Sequence, residues 1–476
     1  MSQSTRLRSV PDVESPGVPS RLRGADLLGR IIFVLLLGLI VFTAIPYGTA
    51  EPWWKAFFVC AVFSLCILWL IEGLLRQKWF NDLNGIRRIA LPVLAFALFS
   101  FVQTIHFGNI ANTNWNSISA DPYQTRFFVF QFLALSLAGM LSWRYASTER
   151  RLRAVINVVI AVAVASAIFG ILRQTMQHSI GFGLPIIGPD QGYGQFINRN
   201  HFAYLMEMGF GLALGLVVGG GVRRDQGLIY LAALLPLWTG LVLCNSRGGL
   251  IAMLAQITAA VLLFTTVTPL ENAATASSRA ARLLKSKTAQ LALLVILVGG
   301  VIFGTLWMGG DQLAARLAAT GNELPSARVE SRDGVRRNEV WVSTWRMFAA
   351  NPIVGVGMGA YWARVPEFHD ASGAMTPQQA HNDYLELLAS GGLIGLTIGV
   401  WFVLSLFRST RENLRSPNRF RRAAAFGATM AIVGVAVHSL ADFGLHLLIN
   451  ALVFTTLVVI AASKPRWAAE PTKNYA

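Results

Sequence analysis

Three short polar stretches of this chain hold side chains able to grip an anion and to move a proton. They are FINRNHFAYLME at 196–207, CNSRGGLIAML at 244–254 and AHNDYLELL at 380–388, and each runs into an apolar segment of helical length. A helix N-terminus presents unpaired N–H groups and a partial positive charge. Arg199 and Arg247, at two such starts, therefore suit an anion such as pyrophosphate. Guanidinium adds a planar fork that holds phosphate oxygens in pairs. The plainer alternative is an interfacial arginine reaching for lipid headgroups. His381 belongs to the residue type that titrates near neutral, so it can take a proton from a hydroxyl, with Asp383 or another carboxylate to orient it. The competing reading is a capping or buried histidine, and both readings also apply to His201, His438 and His446.

The elements that carry these residues belong to a membrane. The chain has 476 residues, 54% hydrophobic and only 13% charged, with a mean hydropathy of +0.52, far from the composition of a soluble domain. Apolar runs long enough to cross a hydrocarbon core of ~30 Å recur throughout. They lie near 27–45, 55–75, 88–106, 127–142, 153–173, 201–221, 227–244, 248–268, 289–308, 391–407, 423–441 and 446–463. The expected fold is an all-α polytopic membrane protein of about 12 transmembrane helices with one large helical periplasmic loop. Residues 1–26 read as a disordered tail rather than a signal peptide, followed by helices over 27–308, the loop over 309–390, three helices over 391–463 and a second tail over 464–476. Cys60, Cys66 and Cys244 all fall in apolar spans, which excludes a disulfide framework and a cysteine metal cluster. The net charge of +16 does not point to nucleic acid, because no basic block is interleaved with exposed aromatics.

Orientation follows from where the basic residues fall, since short loops rich in Lys and Arg stay cytoplasmic. Arg76, Lys78, Arg87 and Arg88, then Arg144, Arg150, Arg151 and Arg153, then Arg223 and Arg224 occupy alternate loops. Arg279, Arg282, Lys285 and Lys287, and the run from Arg408 to Arg422, continue the pattern. Both termini are then cytoplasmic, and the three polar stretches share the opposite side. The intervening loops hold almost no basic residues, which singles out Arg199 and Arg247. The loop over 309–380 carries seven arginines and no lysine, Arg337 among them. Local salt bridges are the plain account of such arginines. Within it RRNEVWVSTWRMFAANP spaces Val340, Trp341, Trp345 and Phe348 as one face of an amphipathic helix. Tyr384, Leu385 and Leu388 likewise share a face expected to be core, and Gly391-Gly392 permits a bend. The GVGMG run at 355–359 lacks the strand and helix of a dinucleotide site and reads as a turn. No DxD-type acidic pair stands in an outer loop to suggest a metal-dependent nucleotide-sugar enzyme.

Taken together, Asn198 to Ala203, Ser246-Arg247-Gly248-Gly249, RRNEVW…NPIVGVGMGAY, AHNDYLELLASGGLIGL and HSLADFGLH resemble the O-antigen ligase and Wzy polymerase superfamily over roughly 190–450. The resemblance implies a membrane glycosyltransferase of the GT-C type in the bacterial inner membrane. Such an enzyme takes a saccharide from an undecaprenyl-diphosphate donor at the periplasmic face, with inversion and with neither metal nor cofactor. It further implies that Arg199 and Arg247 hold the diphosphate and that His381 activates or positions the acceptor hydroxyl. Asn198, His201, Arg337, Asn382, Asp383 and Asp442 are then candidates for binding sugar or tuning His381. The acceptor is lipid A core for a ligase and a second lipid-linked glycan for a polymerase, and the motifs leave both open. A transporter of a small anion such as bicarbonate is the alternative from another class. It is disfavoured because no repeat relates the halves and the key charges sit at helix starts rather than mid-membrane.

Overall fold

The computed structural model describes residues 20–77, 86–106, 117–176, 192–267, 337–369 and 376–464, with positions 184, 187, 295, 299, 300 and 467 besides. Among them the regular structure is helical. The long helices of the first half are α1 (Ser20–Ala44), α2 (Pro52–Arg76), α3 (Arg87–Val102), α4 (Pro122–Tyr145), α5 (Glu149–Met176), α6 (Arg199–Val218), α7 (Arg224–Leu243) and α8 (Arg247–Val267). After the segment 268–336 come α9 (Arg337–Ala350), the short α10 (Tyr361–Arg364), α11 (Asp383–Leu414), α12 (Arg419–His438) and α13 (Leu448–Ala462). Eight of the described helices, α1, α2, α4, α5, α6, α7, α11 and α12, are long and apolar enough to cross a membrane, and α8 and α13 are shorter apolar helices. The expected span near 289–308 lies almost wholly outside the described residues.

Polar contacts sort the helix ends into two groups. At one end Glu72, almost wholly buried, accepts from Arg76 at 2.8 Å and from the Tyr145 hydroxyl, and Arg144 lies 3.6 Å away. Arg88 pairs with Glu412 at that end, and the buried Arg421 donates to the last carbonyls of α13, those of Ala461 and Ser463. The arginines of the basic loops thus gather together. The opposite end holds the starts of α6, α8, α11 and α13.

α6 and α12 form the centre of the bundle, and their contact requires glycine. A Cβ on Gly215 would stand 2.1 Å from Gly427 Cα, and one on Gly211 would stand 2.6 Å from the Ala431 nitrogen. Small residues let membrane helices approach until their backbones touch, gaining dispersion contact where no hydrophobic force acts between them.

α11 departs from a simple span. It begins at Asp383, earlier than the sequence pattern suggests, and breaks at Gly392, whose φ of 61° and ψ of −162° are not helical. The break strands backbone groups, and the 351–359 turn receives them. Val356 and Gly357 donate to the Ala389 and Ser390 carbonyls at 3.0 Å, while Leu393 and Ile394 donate to Pro352 and Ile353 at 2.8 and 3.1 Å. Gln103, from the end of α3, clamps the joint by donating to Val354 and Ser390 and accepting from Met358. The glycine run at 355–359 therefore splints a broken helix. Its glycines at 355, 357 and 359 all have positive φ.

The face of early α11 expected to be core is rotated, and polar contacts set the buried face of α9 as well. α9 buries Val340, Ser343, Thr344 and Met347 and exposes Trp345, because Thr344 bonds the Tyr361 hydroxyl at 2.7 Å and Ser343 faces His369 at 3.1 Å. The first turns of α11 bury Glu386, Ala389 and Ser390 and leave Tyr384 exposed, because Glu386 accepts from the Ala380 amide at 2.8 Å.

Gly392→Ala should destabilise the protein severely. It places a Cβ 2.3 Å from the Ile353 carbonyl oxygen in a left-handed backbone, a strain of about 1–3 kcal/mol before any clash is counted. Gly38→Ala, with open space around it, is the control. A heating series in detergent should show early loss of the first variant alone, and equal melting of both would refute the splint.

Candidate active site

Three helix starts and one connection build the site, and each start is capped by a residue whose type predicts it. Asn198 accepts from Asn200 N at 2.8 Å to cap α6. Ser246 accepts from Gly249 N at 3.2 Å at the start of α8. Asn382 accepts from Tyr384 N and Leu385 N, both at 3.0 Å, to cap α11. Asn245 and His381 approach the last two helices with φ of 54° and 51°, a left-handed conformation uncommon outside glycine. The carbonyl oxygens of the Asn198 and Asn382 side chains are thus engaged in capping, and Asn382 Nδ2 donates to the Leu440 carbonyl at 2.9 Å.

The connection between α12 and α13 runs among these starts. Asp383 N donates to the Ser439 carbonyl, Asn450 Nδ2 donates to the His201 carbonyl at 2.9 Å, and Gly248 lies against the His438 ring so closely that a Cβ there would meet it at 2.5 Å. At its centre Asp442 is 1% exposed. Its carboxylate accepts from Asn200 Nδ2 and from the Phe443 amide at 2.9 Å, faces Arg337 at 3.4 Å, and has His381 Nδ1 3.5 Å away. Burial opposes its ionisation, but His381, Arg337 and His201 outweigh burial and hold this carboxyl well below the usual carboxylate range.

Of the carboxylates the sequence offers to orient His381, Asp442 rather than Asp383 is the one that stands beside it. Asp383 accepts instead from Ser439 Oγ at 2.7 Å and lies 3.4 Å from His446 Nε2. Glu386 approaches the same nitrogen at 3.6 Å. Burial disfavours a charged His446, yet Glu386 and Asp383 together raise its pKa to about 9. Phe443 receives the edges of three imidazoles, those of His381, His201 and His446, at 4.7, 4.9 and 5.8 Å. His381 remains about a third exposed, so the ring, set across Phe443 with its Nδ1 facing Asp442, still opens outward.

Arg199 is exposed on the first turn of α6, between the cap Asn198 and the Asp442 ligand Asn200. Arg247 is half-buried at the start of α8, next to the glycine that packs on His438. Beneath them His438 Nδ1 lies 3.0 Å from Glu207 in a fully buried pair, and its ring stacks on Tyr204 at 4.1 Å, a packed structural arrangement. Asn200, Ser439 and Phe443 are the members that side-chain chemistry alone did not single out, although the runs from Asn198 to Ala203 and HSLADFGLH marked their neighbourhoods. Among the described residues no group of three or more His, Cys, Asp and Glu side chains converges to hold a metal ion.

Residues 231–400 match the family model described as O-antigen ligase. The match contains Arg247, Arg337, His381 and Asp383, and it is narrower than the 190–450 over which the motifs resemble the superfamily. No curated protein matches the chain.

His446 makes stability depend on pH with a defined sign. Its folded pKa, about 9, stands above the unfolded value of 6.5. The stabilisation is therefore complete below the unfolded pKa and lost as pH rises through the folded one. The melting temperature of the wild type should fall between those two values, and His446→Gln should lack that component of the slope. Parallel curves for the two proteins would contradict the pairing.

Proposed function

The chain is a member of the O-antigen ligase and Wzy superfamily, and from that premise we propose a glycosyltransferase that moves a saccharide from an undecaprenyl-diphosphate donor to a hydroxyl at the periplasmic face of the bacterial inner membrane. The observation that carries this reading is the convergence at one end of the bundle. Two arginine-bearing helix starts stand beside a histidine that is oriented by a buried carboxylate and still open outward.

In this reading the donor diphosphate lies over the starts of α6 and α8. Arg199 and Arg247 then meet the charge that develops as the bond from the anomeric carbon to the diphosphate oxygen breaks. Preorganised positive groups aimed at a leaving group are where such a reaction gains most. The acceptor oxygen forms the new glycosidic bond from the opposite face, inverting the centre, and its proton passes to His381. Asp442 lies on the Nδ1 side of that ring, so Nε2 is the nitrogen that receives the proton and Asp442 steadies the imidazolium. Arg337 and Asn200 keep Asp442 in place. No metal or cofactor enters this scheme. The acceptor is lipid A core for a ligase or a second lipid-linked glycan for a polymerase.

The test supplies purified protein with a lipid-diphosphate-linked glycan and both acceptors in parallel. Arg199→Ala and Arg247→Ala should each lower the rate by about 10²–10³, the scale for removing one group that stabilises a developing anion. His381→Ala should cost about 10²–10⁴ in kcat. Equal transfer by wild type and Arg247→Ala would overturn the assignment.

A further inference from the structure

Behind the Asp383 and His446 pair lies a cavity of about 110 Å³, closed by the first turns of α11 and by the segments around Tyr361 and Gln379. Its wall carries Asp383, Glu386, Ser390, Gln379 and His446. At ~30 Å³ for each water in the liquid, it has room for about four polar atoms with their hydrogens, the size of one edge of a pyranose.

Two observations show that this space is built for a polar guest. Ser390 is 1% exposed, and its Oγ makes no hydrogen bond within the protein, nor does Gln379 Oε1. Buried polar atoms are normally paired, and leaving one bare is costly, so these atoms point to a partner that arrives from outside. Ser390 is unpaired while its own carbonyl is fully used by Gln103 and Gly357. The same splint that mends the break at Gly392 thus holds this hydroxyl at the cavity wall.

The charge of the wall selects the guest. Two carboxylates face one imidazole, so acceptors outnumber cationic donors, and the walls include the ring of Tyr361. Hydroxyl and ammonium groups find partners there, whereas an added carboxylate meets like charge. Resting on the transferase reading above, we propose that the cavity is the subsite for the sugar that presents the attacking hydroxyl, and that it takes a neutral or amine-bearing ring and rejects an acidic one. Asp383 and His446 line the cavity, and Phe443, with its ring 5.8 Å from that of His446 and 4.7 Å from that of His381, links the cavity to the base.

The test reads binding without turnover, so it fails or succeeds independently of the transferase assay. Full-length protein in lipid nanodiscs is titrated with methyl glucoside, methyl glucosaminide and methyl glucuronide, followed by saturation-transfer NMR. The first two should bind at least about tenfold more tightly than the glucuronide, since like charges brought together across a contact are disfavoured. Glu386→Gln should shrink that discrimination, and Gln379→Ala, at the rim, should weaken the neutral sugar about three- to tenfold, the worth of one hydrogen bond. Equal binding of all three sugars, binding of none, or discrimination unchanged in Glu386→Gln would overturn the subsite. Selective binding in a protein that transfers nothing would leave the subsite standing and remove the proposed reaction.

Discussion

A helix inside an apolar bundle breaks only if every amide and carbonyl it frees finds another partner, because each group left bare there costs several kcal/mol. At Gly392 the 351–359 turn answers that requirement with two donors and two acceptors. The site hangs on this repair. It sets the angle at which residues 383–390 meet the rest of α11, turning Glu386 and Ser390 inward and bringing Asp383 against Ser439. Gln103 carries the same joint to α3, so three separated parts of the chain are fastened at one point.

Asp442 poses the complementary problem of charge. A buried carboxylate is tolerated only when paired and hydrogen-bonded, and removing one partner leaves a larger penalty than the pair was worth. Here the partners come from α6, α9 and the approach to α11, so the ion itself welds the three. The close approach of α6 and α12 is what makes this reach possible. Larger residues at 215 and 427 would push the Asn200 turn away from the connection that carries Asp442.

The amino-acid pattern exposes those features that depend on local chemistry. The bend at Gly391-Gly392 and the sorting of arginines to one end are both local, and the structure contains each of them. The buried face of early α11 was misread because apolar spacing outvoted polar residues whose partners lie outside their own helix, and the buried face of α9 follows the same rule. Thr344 is buried for Tyr361, and Glu386 for Ala380. The glycine run at 355–359 was readable as a turn, but its purpose was not, since that lies in the unpaired carbonyls of another element. Likewise Asp383 stood nearest to His381 along the chain, whereas the fold gave that position to Asp442.

These placements divide the site electrically. Arg199 and Arg247 stand at the starts of α6 and α8, while the start of α11 carries Asp383 and Glu386 in its first turn. Two substrates of opposite demand, one leaving as a diphosphate and one arriving as an alcohol, are oriented by such a polarity before any close contact forms. A donor turned the wrong way would set phosphate against carboxylate. His381 and Asp442 lie at the boundary, where a proton released on the acidic side has the shortest route to a base already held by a buried anion. In the proposed reaction, then, three capped helix starts differ in the charge they display, and that difference assigns donor and acceptor to their sides.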